Sequence, residues 1–278
     1  MVIAAGRVVM GLLFFPRGGA AYVVRYLSPA LARAGWSISL AVGSLGQRGE
    51  ETHAATFFDG LDVHVVDFTD AVRVFEAGGD ALAAPQPLHP SYEDRVGAPD
   101  VVLASVPPEL VAHLSSVWEA PLRSAGTDRA DVLHLHHLTP QLEAARRHWP
   151  QVPLVVHLHG TELNLLDAIT DRMSLARKLG ETLATMPTAG TTADPARDDL
   201  DAGELEMLRT TRWDSWRHGE FWATWLKQQA QAADHLIAVS PEKRDAAISG
   251  LGVEPKRITA VPNGVDIGRF RPRSRAPG

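Results

Sequence analysis

The chain has no cysteine. Disulfides, thiolate nucleophiles and cysteine–zinc sites are thereby excluded. That absence fits a reducing compartment, and a cytoplasmic setting is expected. Lysine is scarce as well. Only Lys178, Lys227, Lys243 and Lys256 occur among the 27 basic residues, the rest being arginine. No sign of charge dominates, because 33 acidic residues leave a formal net charge of -6. Without a basic excess there is no electrostatic footprint for a polyanion, and no nucleic-acid partner is expected. Long apolar runs are missing too. The opening MVIAAGRVVMGLLFF is interrupted by Arg7 and ended by Pro16-Arg17-Gly18-Gly19. It lacks the basic leader of a secretory signal. No run reaches the roughly 18 apolar residues that cross a bilayer. Peripheral contact with the inner face of a membrane stays open.

What is present is a chain of 278 residues, 45% of them hydrophobic, enough for a sizeable core. VVMGLLFF (8–15) is a continuous apolar run, as in strands covered on both faces. A tight Pro16–Gly19 loop follows. Residues 20–35 then show a helical pattern that ends at Gly35, with Pro29 predicting a kink or break. WSISLAV (36–42) is the next strand. Further strands are expected at 61–68, 130–137, 152–160, 235–240 and 257–266. Helices are expected at 107–120, 138–149 and 202–233. A partly irregular, proline-rich excursion is expected over 70–99, and a mobile loop over 188–201. Ser240-Pro241-Glu242 has the pattern of a helix start, serine as N-cap and proline behind it. The alternation predicts an α/β fold: a Rossmann-like, doubly wound parallel sheet with flanking helices.

Four constellations carry chemistry. Paired glycines Gly18 and Gly19 let a backbone approach a ligand at a helix N-terminus, where an anion is favoured; a plain tight turn is the simpler reading. His134, His136, His137, His157 and His159 fall within 26 residues of sequence. In a strand, His134 and His136 share one face, as do His157 and His159. A divalent metal is one reading, but the spacing matches no familiar motif and no carboxylate joins on those strands, so no metal is expected. Buried histidines with hydrogen-bond partners are the simpler account. His159 differs, because Gly160 follows it at the mouth of the strand, where imidazole can donate to a sugar hydroxyl or a forming charge. Glu162 and Asp167 come next, each readable as a general base or as a solvated carboxylate. Finally, Trp213, Trp216, Trp222 and Trp225 crowd one helical stretch. They read as core packing or, with Arg217 beside them, as a patch for a partner, an acceptor or a lipid surface.

Three segments carry a family resemblance: FFPRGGAAYVVRYLSPALARAGWSISLAV (14–42), VVHLHGTEL (155–163) and ADHLIAVSPEKRDAAISGLGVEPKRITAVPNGVDIGRF (233–270). Together they resemble the N-terminal, acceptor-side half of the retaining, two-Rossmann-domain glycosyltransferases of family 4, the glycogen-synthase-like and sucrose-synthase-like group. The last segment is the most specific, and 70–99 and 165–205 match poorly.

The resemblance implies a nucleotide sugar as donor substrate, an acceptor of unstated class and no cofactor. Gly18 and Gly19 would border the donor diphosphate. His159, with Glu162, would serve the reaction centre, and His136, His137, Gly160 and Thr161 would line the acceptor cleft. Ser240, Asn263, Gly264 and Asp266 would mark the crossover between domains. Residues 1–266 would form the N-terminal domain and 267–278 a loose basic tail. The donor-binding C-terminal domain is not among these 278 residues, so it is expected either in a continuation of a longer chain or on a second polypeptide, which would then be the partner. Two competing readings are a non-catalytic subunit that stabilises a split glycosyltransferase, and another Rossmann-type nucleotide-sugar enzyme. Against the latter, residues 11–20 lack the dinucleotide glycine pattern.

Overall fold

A computed structural model describes residues 6–13, 18–189 and 199–264. Its centre is a seven-stranded sheet in the order β3-β2-β1-β4-β5-β6-β7. The strands are β1 (Arg7–Leu12), β2 (Ser37–Ser44), β3 (Asp62–Asp67), β4 (Val132–His136), β5 (Leu154–Leu158), β6 (His235–Ala238) and β7 (Ile258–Ala260). Every neighbouring pair is parallel. The apolar runs of β1, β2 and β4 therefore find cover on two faces, which is why they read as continuous rather than alternating. The doubly wound parallel fold expected from the sequence is the fold observed.

Helices α1 (Gly19–Arg33) and α2 (Ala54–Phe57) lie on one face, and α3 (Thr69–Glu76) follows β3. The opposite face carries α4 (Val111–Ser116), α5 (Glu119–Ser124), α6 (Pro140–His148), α7 (Thr161–Lys178), α10 (Gly219–Ala232) and α11 (Pro241–Leu251). Short helices α8 (Met186–Ala189) and α9 (Ala202–Thr210) lie between α7 and α10 in sequence. Cover on the two faces is unequal. Val8, Met10, Leu40 and Val42 pack under α1 and α2. On that same face, Val132, His134, Val155, His157 and Ile237 instead line a cavity of about 1140 Å³ beside α1.

Some expectations need correction. α1 runs through Pro29 without a break, because the proline's lost donor falls in a helix still held by its neighbours. The helix expected at 107–120 is a 3-10 turn followed by two short helices, α4 and α5. The single helix expected over 202–233 is split into α9, a 3-10 turn at Trp213–Trp216, and α10. Thr161–Lys178, for which the sequence carried no assignment, is an 18-residue helix with seven buried residues. The loop expected over 188–201 and the tail at 267–278 fall mostly or wholly outside the described residues.

Tryptophans 213, 216, 222 and 225 are all buried. Trp222 Nε1 donates to the Val106 carbonyl at 2.8 Å, and the Arg172 guanidinium covers the Trp216 ring at 3.8 Å. Trp213, Trp216 and Trp222 therefore belong to the core and form no partner or acceptor patch. Arg217 remains outside, paired to Asp214 at 3.4 Å.

At the N-terminal edge of the sheet, one carboxylate ties three segments. Asp234 Oδ2 accepts from Leu154 N at 2.7 Å and from Arg146 Nη2 at 2.8 Å, while Arg146 Nε donates to the Ala232 carbonyl. This joins α6, the start of β5 and the entrance to β6.

Trp222→Phe keeps most of the ring but removes the donor to Val106. It should lower the unfolding free energy by about 1–3 kcal/mol, and Trp222→Ala by about 3–5 kcal/mol. Urea midpoints at unchanged slope measure both.

Candidate functional site

In a parallel sheet whose order reverses between β1 and β4, ligands bind outside the strand C-termini at that reversal. The N-termini of α1, α6, α7 and α11 all follow strands that end there, and helix N-termini favour anions. Gly18, at φ 86° and ψ 173°, precedes α1 in a conformation that suits glycine, and no side chain caps the helix. A Cβ on Gly18 or Gly19 would meet nothing within 4 Å. The paired glycines thus leave open approach to the first amides of α1.

The histidines arrange themselves by strand register. Met10 pairs with His134, Leu12 with His136, and His136 with His157. His134, His136 and His157 are therefore on the α1 face. Their rings stack, with centroids 4.7 Å apart for His134–His136 and 5.3 Å for His136–His157. His136 Nδ1 is 2.9 Å from His159 Nε2, one nitrogen donating and the other accepting. His159 is half-buried, whereas His136 is wholly enclosed. The expectation of fully satisfied buried histidines is only partly met. His134 Nε2, His136 Nε2 and both ring nitrogens of His157 have no hydrogen-bond partner.

Burial sets the protonation of this group. It holds His134 down at about 3 and His157 at about 4, with neighbouring imidazoles adding repulsion in both cases and Glu162 opposing the shift at His157. His136 and His159 are also pushed well below the ordinary imidazole range, by burial first and by the other histidines second. All four are neutral near pH 7.

His137 faces elsewhere. It is the only described non-glycine residue with positive φ, at 68°. That turn aims its Nδ1 at Glu162 Oε1, 2.9 Å away. Glu162 Oε2 accepts from Gly160 N at 3.0 Å. Burial alone would raise the Glu162 carboxyl, but the His137 charge and these hydrogen bonds hold it below the usual carboxylate range. Glu162 is fully buried with both oxygens engaged. It is therefore not a free base in the cleft, and its role is to fix the His137–Gly160 junction. Asp167, the other carboxylate considered, is exposed on α7.

Gly160, at φ 94°, starts α7. Lys243 stands over it: a Cβ on Gly160 would lie 3.2 Å from Lys243 Cε. Lys243 Nζ reaches Asn164 Oδ1 at 3.4 Å. The sequence reading passed over this lysine. It sits at the third position of α11, behind the Ser240 N-cap, whose Oγ accepts from Lys243 N at 3.1 Å. The irregular excursion expected over 70–99 begins only after α3, and Tyr92, buried within it, was also passed over. Its hydroxyl donates to the Leu138 carbonyl at 2.8 Å and braces the β4–α6 turn.

The other predicted residues distribute as follows. His136, His137 and Gly160 are buried behind the edge, while Thr161 is half-buried beside His137, with Oγ1 at 3.3 Å from Nδ1. His159 is thus the one histidine at this edge that is not fully enclosed. Asn263 and Gly264 are exposed past β7 and line the cavity beside α1, together with Gly19. Asp266 lies outside the described residues.

A parallel α/β domain that gathers uncapped amides, paired glycines and a histidine at the reversal of its strand order is of the doubly wound α/β class. The family model for Glycosyltransferase Family 4 matches residues 17–269, and the chain belongs to that family. Among solved structures, the catalytic domain of starch synthase IV from Arabidopsis thaliana, bound to ADP and acarbose, aligns at 14% identity with a TM-score of 0.49. That alignment covers 98% of this chain and 54% of the synthase. Apo UGT2 of Phytolacca americana aligns at 16% identity and a TM-score of 0.45, over 94% and 52% of the two chains. CalG4, the calicheamicin glycosyltransferase, aligns at 13% identity and a TM-score of 0.41, over 98% and 56%. The chain spans about half the length of these structures. No curated protein sequence matches it. No helix among the described residues is long and apolar enough to cross a membrane.

Two outcomes follow. Below pH 6.5 the unfolded chain takes up protons that the buried imidazoles refuse, so stability falls on acidification. The window opens at 6.5 and closes near 4 for His157 and near 3 for His134. Within it, each such histidine contributes a slope of about 1.4 kcal/mol per pH unit. The Glu162 carboxylate adds a loss in the same direction at lower pH. Urea unfolding from about pH 7 to 4.5 measures the slope, and His157→Gln should reduce it. Separately, Gly160→Ala should cost about 1–2 kcal/mol, since alanine resists positive φ.

Proposed function

We propose that this chain is the acceptor-side half of a retaining glycosyltransferase, transferring sugar from a nucleotide-sugar donor to an acceptor hydroxyl. A second domain or polypeptide would supply most of the donor grip. The observation that carries the reading is His159. It is half-buried at the mouth of β5, neutral, and held by His136 at 2.9 Å, on the edge that also carries the amides of α1 behind Gly18 and Gly19.

The chemistry suits those groups. The acceptor oxygen bonds to the anomeric carbon on the face from which the diphosphate leaves. The bond from that carbon to the phosphate oxygen breaks, and the acceptor proton passes to the departing oxygen. No side-chain base is required, consistent with Glu162 being wholly engaged by His137 and Gly160. Negative charge grows on the diphosphate, where the α1 amides and Lys243 would oppose it. His159, as a neutral imidazole, would place the sugar by hydrogen bonding. The non-catalytic subunit reading would make the tryptophan-rich segment an interface, and the burial of those rings gives that interface no support.

The test is calorimetric titration of the full chain with a panel of nucleotide sugars, beside the His159→Ala variant. Binding of one donor that weakens about tenfold in the variant, at unchanged urea midpoint, is the expected result. In an enzyme reconstituted with its donor-binding half, transfer should fall about 10²–10³-fold. Donor binding and transfer indifferent to residue 159 would remove this assignment. Preference for a dinucleotide would favour another Rossmann-type enzyme.

A further inference from the structure

We propose that His134, His136 and His157 form a binding site for a divalent transition metal, zinc first, on the α1 face of the sheet. One ring nitrogen from each lies within 4.8 Å of the others. All three side chains are more than nine-tenths buried, at 8%, 0% and 5% exposure. Four of their six ring nitrogens have no hydrogen-bond partner. An unmatched buried acceptor or donor costs about 1–3 kcal/mol. Several in one cluster, on three adjacent rings, point to a ligand that satisfies them together.

The remaining contacts fit ligation. His136 uses Nδ1 toward His159 Nε2. If Nδ1 donates, Nε2 is left as a bare lone pair directed away from His159, the arrangement in which a ligating histidine is fixed by a hydrogen bond from its other nitrogen. Three neutral imidazoles without a thiolate suit zinc, copper or nickel rather than magnesium or calcium. The cavity beside α1 is lined by His134 and His157, so a fourth position can be taken by water.

Tetrahedral zinc at about 2.0–2.1 Å from each nitrogen sets the ligand atoms about 3.4 Å apart. The widest separation, 4.8 Å, therefore has to close by about 1.4 Å. The rings stand between 7° and 27° from parallel, so closing requires them to turn about their terminal torsions. The sequence reading named a metal at these histidines and set it aside because their spacing fits no single-segment motif; the His136–His157 register between two strands is what brings the ligands together.

The experiment uses the full, tag-free chain, stripped with a chelator and dialysed against zinc or cobalt. One equivalent of zinc should remain on each chain, cobalt should give the visible bands of a four-coordinate site, and zinc should raise the melting temperature by about 5 °C or more. His134→Gln and His157→Gln, checked for folding by circular dichroism, should each weaken zinc binding by about 10–100-fold or more. His64→Gln, away from the cluster, should not. Substoichiometric zinc with no thermal shift in the unaltered chain would overturn the proposal, whether or not the variants fold. So would zinc held equally by the unaltered chain and both folded cluster variants.

Discussion

Parallel pairing of all seven strands is the constraint from which the rest follows. A parallel strand cannot turn back directly, so each is followed by a crossover, usually through a helix packed on the sheet. Every strand then ends on the same edge, and the helices behind them present their amide ends there. The reversal of order between β1 and β4 separates the departing crossovers and opens a crevice. Gly18, His136, His159 and Lys243 come from four different parts of the chain, and parallel pairing is what delivers them to one edge.

The same register explains the unusual interior of that edge. Side chains alternate across a strand, so histidines two apart on β4 fall on one face, and β5 sets another beside them. The next residue, His137, falls off that face by the same alternation, and its left-handed backbone at the strand end turns it toward the Glu162 carboxylate, which receives it. Residues adjacent in sequence thereby do different work. His136 braces His159 from inside the sheet, and His137 binds the β4 turn to the start of α7.

Much of the fold was legible because the β1, β2, β4 and β5 segments are apolar runs bounded by glycine, proline or polar turns. The Ser240-Pro241 start of α11 was legible for a local reason, since the cap and the proline act within one turn. The interruption of 202–233 was not, because Trp213 and Trp216 look helical in spacing while their burial holds them in a 3-10 turn. α7 was hidden by a weakly amphipathic pattern, and tertiary packing against α10 and α11 decides it. In the site, His159 and the glycine pair could be read from type and position. The engagement of Glu162, the reach of Lys243 and the unmatched nitrogens could not, because each depends on which segments the sheet makes neighbours.

The Asp234 carboxylate has a consequence of another kind. By holding the start of β5, the end of α6 and the entrance to β6, it closes the stretch from 155 to 233 into a loop whose two ends are fastened together. Closing a loop depends only weakly on its length. A change in the length of the stretch between α7 and the Trp213–Trp216 turn therefore costs little closure entropy while the two strands keep their places. That makes it the natural site for variation in a protein whose sheet edge must stay fixed.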